Sequence, residues 1–528
     1  MNHHFGFDKV RPVREELELM GIASFVLVLG SVFLAAPEGN ASKITAGGVD
    51  DPRSFDTTWH PVNYSWHFNA LPLQGSVENK HIPWADSYWP MQRGGMSYRW
   101  REFQDRNAEV PLSATERKKE FFQVHRYTRA ELLRMSPGDR RERVASLSPL
   151  EKFSILNGDY DYKLVNKFSN PGNAALSSWQ GYCHAWAPVS LHYPEPNPVA
   201  ATNPDGIEVA FGSSDIKAIM ISSYAERVKV SFSSFMNGIG RRIGNVFKKI
   251  GGSTIPDPDA TFVGQRCAKR FLYPTTKFKN GKEVFSDYGD PAGIMDSEYR
   301  SVVESFRDKA LALRFFPEGG PSPTDPGFVQ KVMANKEDPA CRDVNAGAFH
   351  IVIGNQLGLM REGFLIDKTR DVEVWNQPVF RYDSGIVGWS APDAGASPGT
   401  ERVVHVKTRL YFADDTDYGW AFWYPTLPSV FGISSPFTGE YERYQQFLIR
   451  EGDLTEPGKY PEGILDYADY EYKIDLDRDG VILGGEWITF DRPDFLWLFR
   501  KTGFSGDYAK LNWIYHPIEL PEGQPVGF

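Results

Sequence analysis

The stretch around Cys183 restricts the fold of this chain more than any other. Residues 178–190 read SWQGYCHAWAPVS and hold one of only three cysteines in 528 residues. Gly181 stands two residues before the cysteine, Trp179 and Trp186 flank it, and CHAWAPVS can open a helix. A cysteine at a helix N-terminus meets the positive end of the helix dipole, which lowers the pKa of the thiol. The stretch therefore predicts either a helix-borne reactive thiol or an inert cysteine buried among aromatic side chains.

The composition is that of a globular protein with many aromatic contacts. At roughly 100–200 residues per domain, the length allows two or three domains. Aromatic residues make up 14% of the chain, which is typical of all-β and α+β folds. The net charge of −10 argues against a nucleic-acid partner, because nucleic-acid-binding domains carry a basic face.

The three cysteines are too few for a disulfide scaffold. Cys267 and Cys341 are a candidate disulfide pair, which would leave Cys183 as the odd thiol. An odd cysteine in an exported protein is a candidate reactive group.

An uncharged run near the N-terminus predicts export. Residues 19–37 read LMGIASFVLVLGSVFLAAP, and Lys9, Arg11 and Arg14 precede them. This pattern favours a signal peptide within residues 1–42. The run is also nearly long enough to span a bilayer, so a membrane anchor and a buried helix remain alternatives. We expect a secreted or cell-surface protein.

The rest of the chain divides into three predicted parts. Residues 43–140 form an aromatic-rich extension, a candidate propeptide or wrapping segment. Residues 141–400 carry Cys183 and begin near a helix start, SPLE, whose pattern is that of a capping box. Residues 401–528 are rich in strand patterns and are expected to pack on the preceding domain as β hairpins. The predicted fold class is α+β, with a helical layer carrying the cysteine against an antiparallel sheet.

A cysteine nucleophile needs a base, and the base needs an orienting group. His350 lies in the apolar run AFHIVIG, and Asp367 lies in the next run, FLIDKT; both runs are predicted strands. Antiparallel pairing would let the histidine face the carboxylate. A helix-borne cysteine with a histidine and an aspartate on paired strands is typical of papain and transglutaminase architectures. Asp343 and Asp371 are rival carboxylates, and His184 is a weaker candidate base.

Several blocks of the sequence resemble one known family. They are WQGYCHAWAP, GAFHIVIGNQLGL, EGFLIDKTRDVEVWNQPV and VILGGEWI. VWNQPV looks like the start of the defence-eliciting peptide of Phytophthora cell-wall transglutaminases, and the match ends where this chain continues FRYDSG. The chain thus resembles the transglutaminase elicitor family, which has oomycete and bacterial members. The elicitor-like residues are Trp375, Asn376, Gln377 and Pro378.

The resemblance implies protein-glutamine γ-glutamyltransferase activity on proteins with exposed glutamine and lysine. Cys183 would attack a glutamine carboxamide and form a thioester. His350 would first protonate the leaving ammonia and then deprotonate the lysine amine, while Asp367 orients the histidine. The backbone N–H of Cys183 and either Gln180 or Trp179 would stabilise the oxyanion. The aromatic surround, including Trp186, would restrict water, and this chemistry requires no cofactor.

Two other functions remain open at this point. The same triad would serve a cysteine protease or amidase, because only the relative access of water and amine differs. Alternatively, the chain is a non-catalytic cell-wall or elicitor protein with an inert Cys183.

A second motif lies at residues 475–486, DLDRDGVILGGE. Its acidic residues and glycine match an EF-hand loop. Its flanks alternate like strands, which favours a hairpin that turns at 478–480 over a helix-flanked loop. Calcium held on this loop is the alternative. Its ligands would be Asp475, Asp477, Asp479 and Glu486.

Overall fold

The structure is a computed structural model that describes only part of the chain. The described residues are 43–99, 113–176, 180–236, 259–264, 275–279, 282–286, 343–368, 374–416, 425–427, 465–489 and 492–520. The chain divides into two compact units, Met1–Gly39 and Asn40–Phe528, and the described residues belong to the second. The predicted export segment at 19–37 lies outside them. No helix within the described ranges is long and apolar enough to cross a membrane.

The helices and strands have the following bounds. The α-helices are α1 (Ala114–Arg117), α2 (Arg129–Arg134), α3 (Pro137–Ala145), α4 (Pro149–Asn157), α5 (Lys163–Phe168), α6 (Cys183–His192), α7 (Ser213–Met236), α8 (Ala346–Ile353) and α9 (Leu511–Ile514). The first strands are β1 (Gln74–Ser76), β2 (Asp86–Ser87), β3 (Val199–Thr202), β4 (Glu208–Phe211), β5 (Ala260–Gly264), β6 (Thr275–Lys279) and β7 (Lys282–Ser286). The later strands are β8 (Phe364–Asp367), β9 (Asn376–Ser390), β10 (Arg402–Ala413), β11 (Asp415–Thr416), β12 (Leu465–Leu476), β13 (Ile482–Trp487) and β14 (Phe495–Phe499).

One antiparallel sheet of eight strands organises the second unit. Its order is β13-β12-β10-β9-β8-β14-β5, and β1 also pairs with β9. Strand β9 pairs with β8 through its first residues and with β10 along most of its length. Helix α6 packs on β8 and β9, and α8 packs on β12 and β13. The predicted α+β class, helices with an antiparallel sheet, is confirmed.

The helices before Cys183 begin where their capping signals predict. Ser148 accepts from the backbone of Glu151, whose carboxylate accepts from the Ser148 backbone, and Pro149 is the first helical residue of α4. Thr128 and Glu131 form the same capping box at α2. These local pairs satisfy N–H groups that have no partner within the helix, so the sequence alone fixes these helix starts.

The predicted strand around His350 is wrong. Residues Ala346–Ile353 form helix α8, which continues as a π-helical turn over Gly354–Met360. Asn345 caps the helix by accepting from Gly347 and Ala348. Every residue of α8 is buried, so its sequence is apolar on all sides and shows no helical period. A short apolar run of this kind does not distinguish a buried helix from a buried strand.

The C-terminal strands agree better with the sequence. The 475–486 motif belongs to the hairpin β12–β13, which turns at 477–480, so the hairpin interpretation is confirmed. Strand β10 agrees with the strand patterns predicted after residue 401, and it pairs with β9 on one side and β12 on the other. The predicted domain boundary at residue 400 falls between β9 and β10 of one sheet, and the division stays a prediction.

Buried ion pairs connect the helical layer. Lys152 of α4 contacts Asp215 of α7 at 2.6 Å, and each side chain is 2% exposed. Lys217 of α7 contacts Glu195 at 2.5 Å, and Glu195 also accepts from the backbone of Thr426. Charges buried this deeply are tolerated because each has an opposite charge, and Asp215, Lys217 and Glu195 have further hydrogen bonds.

Helix α8 approaches strand β13 so closely that no side chain fits between the two backbones at Gly347. A Cβ on Gly347 would overlap the carbonyl of Gly484 and lie 2.9 Å from its Cα. Only glycine permits this backbone contact, so Gly347 fixes the distance between helix and sheet.

We expect Gly347→Ala to destabilise the protein. Alanine in an open helix stabilises relative to glycine, but here the overlap should cost about 1–3 kcal/mol. Urea unfolding measures the change, with Gly503→Ala as control, because nothing lies within 4 Å of a Cβ at Gly503. Equal stability of the two variants would contradict the proposed contact.

Candidate active site

Cys183 is the first residue of helix α6 and is 5% exposed. Its thiol donates to the carbonyl of Val374 at 3.5 Å. The side-chain amide of Asn376 donates to Sγ at 3.6 Å. The first N–H groups of a helix have no acceptor within the helix, so backbone donors lie beside this sulfur. The thiol therefore sits between a helix N-terminus and the start of β9.

The expectation of a lowered thiol pKa is wrong for this state of the molecule. Burial is the largest cause that raises the pKa of Cys183 to about 12, and the negative charges of Asp415 and, least of all, Asp367 contribute in the same direction. Hydrogen bonds from Asn376 lower the pKa, but by less than burial raises it. Burial of the sulfur therefore favours the neutral thiol over the thiolate in this state.

Asp367 lies on the strand next to Asn376. The two residues are directly opposite each other in the β8–β9 ladder, so their side chains project from the same face of the sheet. Oδ1 of Asp367 accepts the backbone N–H of Trp375 at 2.9 Å, and the residue is fully buried. The Asn376 carboxamide thus contacts the thiol, and the Asp367 carboxylate lies beside that carboxamide on the same face of the sheet.

His350 is not brought to this site. Its Nδ1 lies 2.9 Å from the hydroxyl of Tyr472, and its ring stacks on Phe68 at 5.2 Å. Among the described residues, its Nε2 has no hydrogen-bond partner. Burial lowers the pKa of His350 to about 3. The predicted contact with Asp367 is absent from this part of the chain because His350 projects from helix α8, which packs on β12 and β13.

A chain of hydroxyl groups continues from His350. The Tyr472 hydroxyl contacts Oγ1 of Thr408 at 2.7 Å, which contacts Oγ of Ser384 at 2.7 Å. These contacts hold His350 in the packed interface between α8 and the sheet.

The rival and auxiliary residues have separate locations. Asp343 is buried in an ion pair with Arg492. Trp186 is fully buried and donates through Nε1 to the Trp84 carbonyl at 3.2 Å, so it belongs to the core. The ring of His184 lies 6.0 Å from that of Tyr182.

Other predicted residues lie outside the described ranges or are engaged through the backbone. The carbonyl of Gln180 accepts from Met91 at 2.9 Å. Cys183 is the free cysteine of the described residues. The predicted site residues Trp179 and Asp371 lie outside the described ranges, and so do the disulfide candidates Cys267 and Cys341.

The acidic residues of the β12–β13 hairpin point to different partners. Asp475 accepts from Ser397, and Asp477 accepts from backbone N–H groups of its own turn. Asp479 is exposed, and Glu486 lies on the strand. Within the described parts of the chain, no three acidic, histidine or cysteine side chains converge to hold a metal ion. These residues do not fit a calcium site as arranged here, and calcium binding stays an untested prediction.

The sequence interpretation missed the contacts that VWNQPV makes with the thiol. Val374 and Asn376 touch Sγ, and Gln377 donates through Nε2 to Asp414 and Asp415 at 3.0 and 3.2 Å. A signal was available, because polar residues in otherwise apolar strands are candidates for site residues.

Comparison with known proteins identifies the family. The model of the family described as transglutaminase elicitor matches residues 59–236 and 330–398. The chain belongs to this transglutaminase elicitor family. Both matched segments contribute to the site, the first through Cys183 and the second through Asp367 and Asn376.

The comparison with solved structures gives one similar chain, the GP42 transglutaminase from Phytophthora sojae. It is 16% identical, the match covers 89% of this chain and 98% of that chain, and the TM-score is 0.45. No curated protein sequence matches this chain. Membership of the family supports a transglutaminase or elicitor role.

In this member of the elicitor family, the elicitor-like residues are largely enclosed. Asn376 is 1% exposed and Gln377 is 0% exposed, and Pro378 is buried. Trp375 is half-buried, and its ring meets that of Tyr88 edge-on at 5.7 Å. The motif therefore forms one wall of the thiol site.

We expect Cys183 to make the protein less stable at alkaline pH. An acid whose folded pKa is raised contributes stability below its unfolded pKa and loses it as pH rises toward the folded value. From about pH 8.5 to pH 9.5 this loss is about 1 kcal/mol for an ordinary unfolded thiol. Cys183→Ala lacks this contribution, so its urea midpoint should fall less over that interval. Identical pH dependence in both proteins would show that the native thiol is not held protonated.

Proposed function

We propose that this protein is a protein-glutamine γ-glutamyltransferase in which Cys183 acts with Asp367 and Asn376. The observation that carries the proposal is the position of the thiol, at a helix N-terminus with the Asn376 amide 3.6 Å from Sγ. This proposal differs from the predicted Cys–His–Asp triad, because it gives His350 no part in the reaction.

Asn376 and the helix N-terminus would stabilise the tetrahedral intermediate. When Sγ attacks the glutamine carboxamide, the carbonyl oxygen gains negative charge next to the sulfur. The backbone N–H of Cys183 and Nδ2 of Asn376 are donors within that space. Donors fixed in a site that excludes water stabilise such charge strongly, which favours Asn376 over the earlier candidates Gln180 and Trp179.

Asp367 would carry the proton. Its charge acts on Cys183, and its position opposite Asn376 directs it to the same face of the sheet. The carboxylate would take the thiol proton as the S–C bond forms and pass it to ammonia as the C–N bond breaks. In the second half-reaction it would accept a proton from the lysine amine, whose nitrogen forms the isopeptide bond as the S–C bond breaks, and it would return that proton to the leaving sulfur.

The partners and location follow from the same proposal. Donor and acceptor would be proteins with exposed glutamine and lysine, and the chemistry uses no cofactor. The protein would act outside the cell or at its surface, as residues 19–37 indicate. The elicitor-like motif supports a wall-associated role.

Incorporation of a labelled primary amine into a glutamine-bearing protein tests the proposal. Cys183→Ala should abolish incorporation, and Asn376→Ala should lower kcat by roughly 10²–10³-fold, as the loss of an oxyanion donor does. Asp367→Asn should also lower kcat, because an amide does not accept the proton. Asn512→Ala is the matched control, since Asn512 bonds only nearby backbone carbonyls.

His350→Asn separates this arrangement from the predicted triad. Asparagine keeps a polar group toward Tyr472, so the folded fraction should retain incorporation close to wild type. Loss of kcat in folded His350→Asn would restore the histidine to the mechanism. Glutamine hydrolysis or peptide cleavage without amine incorporation would contradict the transferase and indicate a hydrolase.

A further inference from the structure

Residues 88–91 lie across the loop that leads to Cys183; we call them the strap. The backbone N–H of Tyr182 donates to the carbonyl of Tyr88 at 2.6 Å. The backbone N–H of Met91 donates to the carbonyl of Gln180 at 2.9 Å. The strap thus occupies the hydrogen-bonding edge of the backbone at residues 180–182, immediately before Cys183.

The strap also touches the other wall of the thiol site. The ring of Tyr88 meets that of Trp375 at 5.7 Å, and Trp375 stands between the two residues that contact Sγ. Gly181 lies against the strap so closely that a Cβ there would overlap the Tyr88 carbonyl and lie 2.5 Å from ring atom Cδ2. Tyr88 therefore joins the two flanks of the thiol, which is 5% exposed.

The residues just before the strap are held firmly. The carbonyl of Ala85 accepts from Lys217 at 2.8 Å. Asp86 accepts from Ser214 at 2.7 Å and from Nε1 of Trp89 at 3.0 Å. Strand β2 pairs in parallel with β11. Trp89 belongs to the strap and is part of this anchor, since its side chain is 1% exposed and bonds Asp86. An opening of the strap would therefore break the bonds of Tyr88 and Met91 to the loop while the Trp89 side chain stays in the core.

The backbone of the strap fits the edge imperfectly. In a regular antiparallel bridge, the acceptor and donor are two residues apart on each strand. On the loop they are two apart, at 180 and 182, but on the strap they are three apart, at 88 and 91. The extra residue is accommodated by Trp89 at φ 53°, a left-handed conformation that is uncommon for a bulky side chain. A peptide without the extra residue can make both bonds without this strain.

We propose that residues 180–182 form the docking edge for the extended, glutamine-bearing chain of the donor protein, and that the strap occupies this edge in the closed state. This rests on the proposed transferase function. A peptide that adds to a strand edge gains affinity from backbone hydrogen bonds, so the edge accepts many sequences. Displacing the strap would expose the thiol and bring the glutamine side chain to it. The occupied edge weakens the apparent affinity for peptides, because the apparent Kd is the intrinsic Kd divided by the fraction of molecules that are open.

The first test measures thiol reactivity. Iodoacetamide labelling of Cys183, followed by mass spectrometry, should be roughly tenfold faster in Gly181→Ala and in Tyr88→Ala than in wild type, because both changes favour the open state. Gly347→Ala is the matched control, since it creates a similar backbone overlap far from the strap. Equal labelling rates in all four proteins, or faster labelling in Gly347→Ala alone, would overturn the proposal that the strap covers the thiol.

The second test measures peptide binding with the nucleophile removed. A fluorescein-labelled pentapeptide with a central glutamine among alanines is titrated into Cys183→Ala with and without Tyr88→Ala. The loosened strap should lower Kd by about fivefold or more, by the population argument. Unchanged or weaker binding would overturn the docking edge.

Neither measurement requires acyl transfer. If both succeed and neither wild type nor the Tyr88→Ala enzyme incorporates amine, the transferase is wrong and the docking edge serves another reaction. If amine is incorporated but neither labelling nor peptide binding changes as expected, the transferase function is retained and the docking edge is rejected.

Discussion

The pairing of β8 with β9 is the interaction on which the site depends. Asp367 and Asn376 are opposite each other only in this register, and a shift of either strand by one residue would turn that strand's side chain to the other face of the sheet and separate the pair. The register is fixed by the buried positions around it, since all four residues of β8 and the first five of β9 are enclosed. Packing therefore determines which polar groups meet the thiol. Helix α6 then needs only to place its first residue against this pair.

Much of this arrangement could be predicted from the sequence, but not the identity of the groups around the thiol. The helix starts at Ser148 and Thr128 have recognisable sequence signals, because a capping box is formed by residues that are close together in the chain. His350 was misassigned because a helix buried on every side has the same apolar sequence as a central strand. The groups that neighbour the thiol therefore had to come from tertiary structure. Asn376 was visible only as part of a peptide motif, since nothing local indicates that it faces Cys183 across 193 residues.

The raised thiol pKa and the enclosure of Cys183 have the same origin. Burial disfavours the thiolate, and the strap contributes to that burial by bridging Gln180 and Tyr182 on one side and Trp375 on the other. Water entering with a displaced strap would favour ionisation. Nucleophile accessibility and nucleophile basicity are thus linked through one segment. In the closed state that we propose, the thiol would stay protonated and unreactive until a peptide occupies the edge.

The position of β14 in the sheet has a consequence for the order of folding. Residues 495–499 lie between β8 and β5 and pair with Asp367 through Phe495, although they are more than a hundred residues further along the chain. During synthesis β8 has only β9 as a neighbour until this segment leaves the ribosome. Contacts between distant segments form late, because loop closure must precede them. The carboxylate strand thus becomes fully enclosed after nearly the whole chain is available, and a nascent chain carries Cys183 without a finished site.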